Sequence, residues 1–216
     1  MYMKMREPVS GLTHLFGAIL SLIGIIVLII TCTENNMYSN IFALVIFGIS
    51  LVGLYSASCV YHLVNISKKA IKILQRIDHC MIYVLIAGTY TPICLISLKG
   101  KTGIILLIII WGMAIAGIAL KILWFNAPRW LYTLFYVVMG WAAVFAIAPL
   151  SKVLPALAMF YLFAGGVAYT IGAVFYALKK PIFKNNIFGF HEIFHIFVLL
   201  GSAFHFALMF QYVLYL

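Results

Sequence analysis

Residues 187–214 read IFGFHEIFHIFVLLGSAFHFALMFQYVL, and the fold follows from what this stretch can and cannot be. From Ile193 to Leu216 no Asp, Glu, Lys or Arg occurs, a length that matches the ~20 apolar residues needed to cross a ~30 Å hydrocarbon layer. The run is therefore a transmembrane helix. At its entrance stand His191, Glu192 and His195, and Glu192 is one of only four acidic residues in the chain. Histidines four apart sit about 40° apart around a helix turning ~100° per residue, so both imidazoles can reach one metal ion. A helix this apolar has little reason to hold His, Glu and His in one turn unless they act together.

The same pattern recurs along the chain. Uncharged runs cover 8–33, 35–67, 79–98, 102–120, 130–151 and 153–178 as well, in a sequence that is 66% hydrophobic and 8% charged. Soluble domains carry ~25% charged residues. Seven spans in 216 residues leave no room for a separate soluble part, so residues 1–216 form one all-α, polytopic domain of the cell membrane. The first run is long and lacks a small-residue cleavage site, and it is expected to be a retained span. The net charge of +10 does not indicate nucleic acid, because the cations alternate by loop. Lys4, Arg6, Lys68, Lys69, Lys72, Arg76, Lys121, Arg129, Lys179, Lys180 and Lys184 fall on one side, and Lys99, Lys101 and Lys152 on the other. That asymmetry predicts a cytoplasmic N-terminus and an outer C-terminus.

In chain order the spans are expected near Gly11–Thr31, Ile41–His62, Ile77–Leu98, Thr102–Leu120, Trp130–Leu150, Leu154–Leu178 and Ile187–Leu214, with a basic loop at 66–76. Pro92 removes a backbone donor from the third and predicts a kink. The fourth and fifth, free of charged or histidine side chains inside, read as scaffold. Ala164, Ala168 and Gly172 form a small-residue seam in the sixth. Trp124, Trp130, Tyr132, Tyr212 and Tyr215 suit interfacial belts. The four cysteines, Cys32, Cys59, Cys80 and Cys94, show no paired motif and read as apolar filler.

Drawn this way, His14, His62, Asp78, His79, His191, Glu192 and His195 come from four spans yet share one depth at the cytoplasmic boundary. An ionisable residue inside a span is costly unless paired or lining a cavity, and so marks a functional site. His62, His191 and His195 supply three imidazoles with a fourth position left for water, the pattern of a catalytic zinc site. Asp78 stands ready to take a proton, and Ser58, one turn from His62, to orient a ligand or donate to an oxyanion. His14 and His79 are expected in the surrounding shell, and His205, ~15 Å further along, as a satisfied core histidine. The bland alternative is a hydrogen-bonded polar core without metal.

Four patches together resemble the hemolysin III family, within the progestin and adipoQ receptor superfamily. They are Glu7-x6-His14; Tyr61-His62 with Ser58; Arg76-x-Asp78-His79 running on to AGTYTP at 87–92; and HEIFH at 191–195 followed by GSAFH at 201–205. Ser10 departs from the Asn common in the family, and Glu192 lies where relatives vary. The resemblance implies seven helices, zinc on His62, His191 and His195, Asp78 reached through water and Ser58 close by. It also implies ceramidase-like hydrolysis of a lipid amide or ester, or a role in membrane lipid homeostasis. Rival expectations are a pore-forming cytolysin, a non-catalytic zinc-stabilised lipid receptor or regulator, and a protease using HEIFH as H-E-x-x-H with Glu192 as base.

Overall fold

The computed structural model describes residues 5–124, 127–180 and 188–216. Lys4 and Lys184 of the charge count and Ile187, the expected start of the last span, lie outside the described residues. Seven helices long and apolar enough to cross a membrane run over Pro8–Glu34, Tyr38–Leu63, Lys68–Ser97, Gly100–Leu123, Arg129–Val153, Ala156–Leu178 and Phe190–Tyr215, and no strand occurs among the described residues. In hydrocarbon every backbone donor and acceptor must be satisfied within the protein, which leaves helices as the solution for runs of this composition. Their outward faces are apolar: Ile108, Ile115, Leu123 and Phe145 are all more than 60% exposed, a burden in water but not in lipid.

The first four helices pack each on the next, the sixth packs on the seventh, and the seventh returns to the first. The fifth leans on the third and sixth. The third is the axis of the bundle, with 67% of its most apolar window buried against 28% for the first and fourth. Arg6, Lys68, Lys69, Lys72, Arg76, Lys121, Arg129, Lys179 and Lys180 sit at the end of the bundle where the odd-numbered helices begin. Lys99, Lys101 and Lys152 sit at the other.

Several boundaries differ from those expected. Of the expected loop at 66–76, only residues 66 and 67 lie outside a helix; from Lys68 on it forms the opening turns of the third helix, which the Ser67 hydroxyl caps by accepting from the Ala70 N–H at 3.3 Å. Lys68, Lys69, Lys72 and Arg76 are exposed along it, while Asp78 is buried about 15 Å inside the helix. At the proline, the α-helical ladder gives way: Pro92 is followed by a π-helical turn at Ile93–Ser97. The fifth helix, expected to be continuous, narrows to a 3-10 turn at Trp141–Ala146. The cause is Tyr90 of the third helix, whose hydroxyl donates to the Gly140 carbonyl at 2.6 Å and accepts from the Ala143 N–H at 2.7 Å. It takes the place of two groups in the helix's own ladder. The seam of the sixth helix runs through Gly165, Ala168 and Gly172, with Ala164 outside its buried face. Tyr132, in the first turn of the fifth helix, faces inward and is only 5% exposed. Cys32, Cys59, Cys80 and Cys94 are free.

Candidate metal centre

His62 is the penultimate residue of the second helix, and His191 and His195 occupy the first turns of the seventh. His62 and His195 are each 1% exposed. The rings lie 4.9, 4.9 and 4.5 Å apart for the pairs 62–191, 62–195 and 191–195. One nitrogen from each falls within 4.8 Å of the other two, forming a group that could hold a metal ion. His62 Nε2 and His191 Nε2 face each other at 3.2 Å. Two nitrogens bound at ~2.0–2.1 Å to one tetrahedral zinc stand about 3.3 Å apart, so this donor set fits the ion.

The opposite ring edges are held from outside. His62 Nδ1 is hydrogen-bonded to the carboxylate of Glu7, which also pairs with Arg6 at 3.4 Å. The bond from His62 holds the Glu7 carboxyl below its ordinary value, so it remains a carboxylate at neutral pH. The Glu7 N–H donates to the His62 carbonyl at 3.0 Å, and the Arg6 guanidinium lies 4.4 Å over the Tyr61 ring. The segment before the first helix thereby closes on the end of the second. His195 Nδ1 meets the Ser10 carbonyl at 3.2 Å, which leaves Nε2 free to turn inward. Outer partners of this kind fix tautomer and ring orientation in metal-binding histidines.

Glu192 serves a different purpose. Its carboxylate accepts the Gly189 N–H at 2.8 Å, capping the seventh helix, and the Ser10 hydroxyl at 2.6 Å. Neither bond leaves it aimed at the imidazoles as a base, which removes the support for the protease expectation. Ser10, the departure from the family pattern, is thus bonded to Glu192 and not to His14. His14 instead stacks on His195 with centroids 3.6 Å apart, and neither of its ring nitrogens has a hydrogen-bond partner among the described residues.

A cavity of about 150 Å³ opens beside the histidines and runs into the bundle between the second, third, fifth, sixth and seventh helices. Ser58, Asp78, His79 and Lys121 line its outer end together with His191 and His195. The Ser58 hydroxyl interacts with the Asp78 carboxylate, which is only 7% exposed. Asp78 is not one of the three-imidazole group. Nor is His79, whose ring lines the wall while its carbonyl accepts from the Tyr136 hydroxyl at 3.1 Å. The inner end reaches His205, stacked on Tyr169 at 5.5 Å. His205 is not the satisfied core residue expected, because its Nδ1 is buried without a hydrogen-bond partner among the described residues.

Every residue proposed from the sequence for this site is found at one end of the bundle, around one cavity and one imidazole cluster. The sequence assigns no role to Glu7 and places Lys121 in a loop. Lys121 is in the last turn of the fourth helix, 3% exposed, on the cavity wall. A lone Lys ending an apolar run reads as a boundary marker, and only the packing of the fourth helix on the third shows otherwise. Glu7 carried a legible signal, an acidic residue beside a span entrance in a chain with four.

A family model described as Haemolysin-III related matches residues 2–206. Hemolysin-3 of Bacillus cereus is 40% identical over 209 residues, covering 97% of this chain and 92% of its own length. The Hemolysin-3 homolog of Bacillus subtilis (strain 168) is 40% identical over 203 residues, 94% of this chain and 92% of the relative. The human monocyte to macrophage differentiation factor is 27% identical over 177 residues, 77% of this chain and 68% of the relative.

Proposed function

This chain belongs to the haemolysin-III related family, and from that premise we propose that it is a zinc-dependent hydrolase of lipid amide or ester bonds, acting in membrane lipid homeostasis. The observation that carries the proposal is the convergence of His62, His191 and His195 beside a largely apolar cavity walled by Asp78 and Ser58. A bound zinc supplies Lewis acidity at the substrate carbonyl and acidifies water at neutral pH. Asp78 takes the proton of the attacking water and returns it to the leaving amine or alkoxide. Ser58 donates its one hydroxyl proton to that carboxylate and so orients it; once Asp78 holds the proton and donates in turn to Ser58, the hydroxyl can turn toward charge developing on the carbonyl oxygen. The apolar walls seat the acyl chain and exclude bulk water. The basic end of the bundle faces the cytoplasm, in keeping with the alternation of cations.

Zinc content and hydrolysis of long-chain N-acyl and ester lipids test this together. His62→Ala, His191→Ala and His195→Ala each lose zinc, while Asp78→Asn keeps zinc and loses turnover. Full zinc in two of the three histidine variants, or undiminished turnover in Asp78→Asn, overturns the assignment.

A cytolytic activity is the rival that the name of the Bacillus cereus relative favours. A water-filled conduit needs polar residues along the full length of several helices. Here Ser58, Asp78, His79 and Lys121 gather at one end, and the cavity walls beyond are mostly apolar. Dye release from liposomes holding the purified protein, undiminished by His62→Ala, is the result that favours a pore.

A further inference from the structure

Polar side chains on the inner part of the cavity wall close their hydrogen bonds within the protein. Thr89 donates to the Leu85 carbonyl at 2.8 Å, and the Tyr90 hydroxyl bridges Gly140 and Ala143. Trp141 Nε1 donates to the Thr170 hydroxyl at 2.9 Å, and the Tyr169 hydroxyl pairs with that of Ser202 at 2.8 Å. His205 departs from this pattern. It lines the cavity and is 6% exposed, yet its Nδ1 is sealed in the wall with no hydrogen-bond partner among the described residues. Nε2 is not sealed in the same way.

The ring is nevertheless firmly placed. It stacks on Tyr169 with centroids 5.5 Å and planes 23° apart, and a Cβ on Gly165 would come within 2.7 Å of Nε2. The glycine thus leaves the space that the imidazole fills. A polar group without a partner is costly in an apolar interior, so a ring held this way points to a partner that arrives with a ligand. A neutral imidazole carries its proton on one nitrogen. Placing it on Nε2 avoids sealing an unbonded N–H in the wall and offers a donor to the occupant of the cavity.

Resting on the reading of this cavity as a lipid site, we propose that His205 recognises an oxygen on the lipid's hydrocarbon chain, so that the preferred ligand is an oxygenated acyl chain. The depth of that oxygen follows from the helix. His205 lies ten residues beyond His195, or ~15 Å along the axis, a span covered by about twelve carbons of an extended chain. An acyl headgroup at the imidazole cluster therefore brings a hydroxyl at the far end of a twelve-carbon chain to His205. A hydroxyl halfway along meets the apolar stretch between the two ends and is left without a partner.

The full-length protein in a maltoside detergent at fixed concentration, zinc-loaded and chelator-stripped in parallel, is titrated with dodecanoate, 12-hydroxydodecanoate and 6-hydroxydodecanoate, with binding read by calorimetry. Wild type is expected to bind 12-hydroxydodecanoate at least as tightly as dodecanoate, and 6-hydroxydodecanoate at least tenfold more weakly. His205→Phe keeps a ring of similar bulk and removes the donor. It is expected to weaken 12-hydroxydodecanoate at least tenfold and to leave dodecanoate within twofold. His205→Leu provides a second apolar variant should the first fold poorly, as judged by elution profile and zinc content. Equal binding of the two hydroxylated chains by wild type, or a histidine substitution that moves dodecanoate and 12-hydroxydodecanoate alike, overturns the proposal and leaves the lipid site standing. Failure of wild type to bind dodecanoate with or without zinc overturns both. No arm depends on turnover, so the preference is readable even if the hydrolase assignment fails.

Discussion

Glu7 and His62 are joined twice, side chain to side chain through His62 Nδ1 and backbone to backbone through the Glu7 N–H and the His62 carbonyl at 3.0 Å. The double tie fixes the ring, so that His62 Nε2 points at His191. Glu7→Gln keeps a polar group but removes the negative charge from the outer edge of the imidazole. Zinc affinity should fall about 10–100-fold, the range seen for such outer partners. Competition against a chromogenic chelator measures it; an unchanged affinity means the carboxylate does not steer the ligand.

Glu192 is expected to matter for stability and not for chemistry. Removing the cap with Glu192→Ala should cost about 1 kcal/mol, read as a lower melting temperature in detergent, with zinc content unchanged. Glu192→Gln should retain hydrolysis. Near-total loss of turnover in that variant would restore the protease expectation.

The insertion of Tyr90 into the fifth helix predicts a stability effect at a position far from the imidazoles. Tyr90→Phe leaves the Ala143 N–H and the Gly140 carbonyl without their partner. The expected loss is about 1–3 kcal/mol, with faster amide exchange at Ala143. A variant as stable as wild type with a protected Ala143 amide indicates that the helix closes its own ladder.

Close contact between the sixth and seventh helices depends on Gly172, where an added Cβ would lie 2.9 Å from the Cβ of Phe197. Gly172→Val should push the helices apart at the level of Phe194 and His195, costing about 1–3 kcal/mol and loosening the zinc site. Thermal unfolding followed with and without chelator separates the two effects. A chelator-sensitive shift equal to that of wild type confines the damage to packing.

Composition and hydropathy determined the number of helices, because seven uncharged runs of spanning length admit no other satisfied backbone in lipid. The shared depth of His62, His191 and His195 was legible as well, since in an up-and-down bundle residue number fixes depth at ~1.5 Å per residue. What sequence could not supply was rotation about each helix axis and contact across helices. Lys121 and Tyr132 were read at a boundary but face inward. Tyr90 breaks a helix fifty residues away, and Glu192 turns to its own helix end while Glu7 reaches the ligand. These are decided by which neighbour each face meets, and only the tertiary structure brings those faces together.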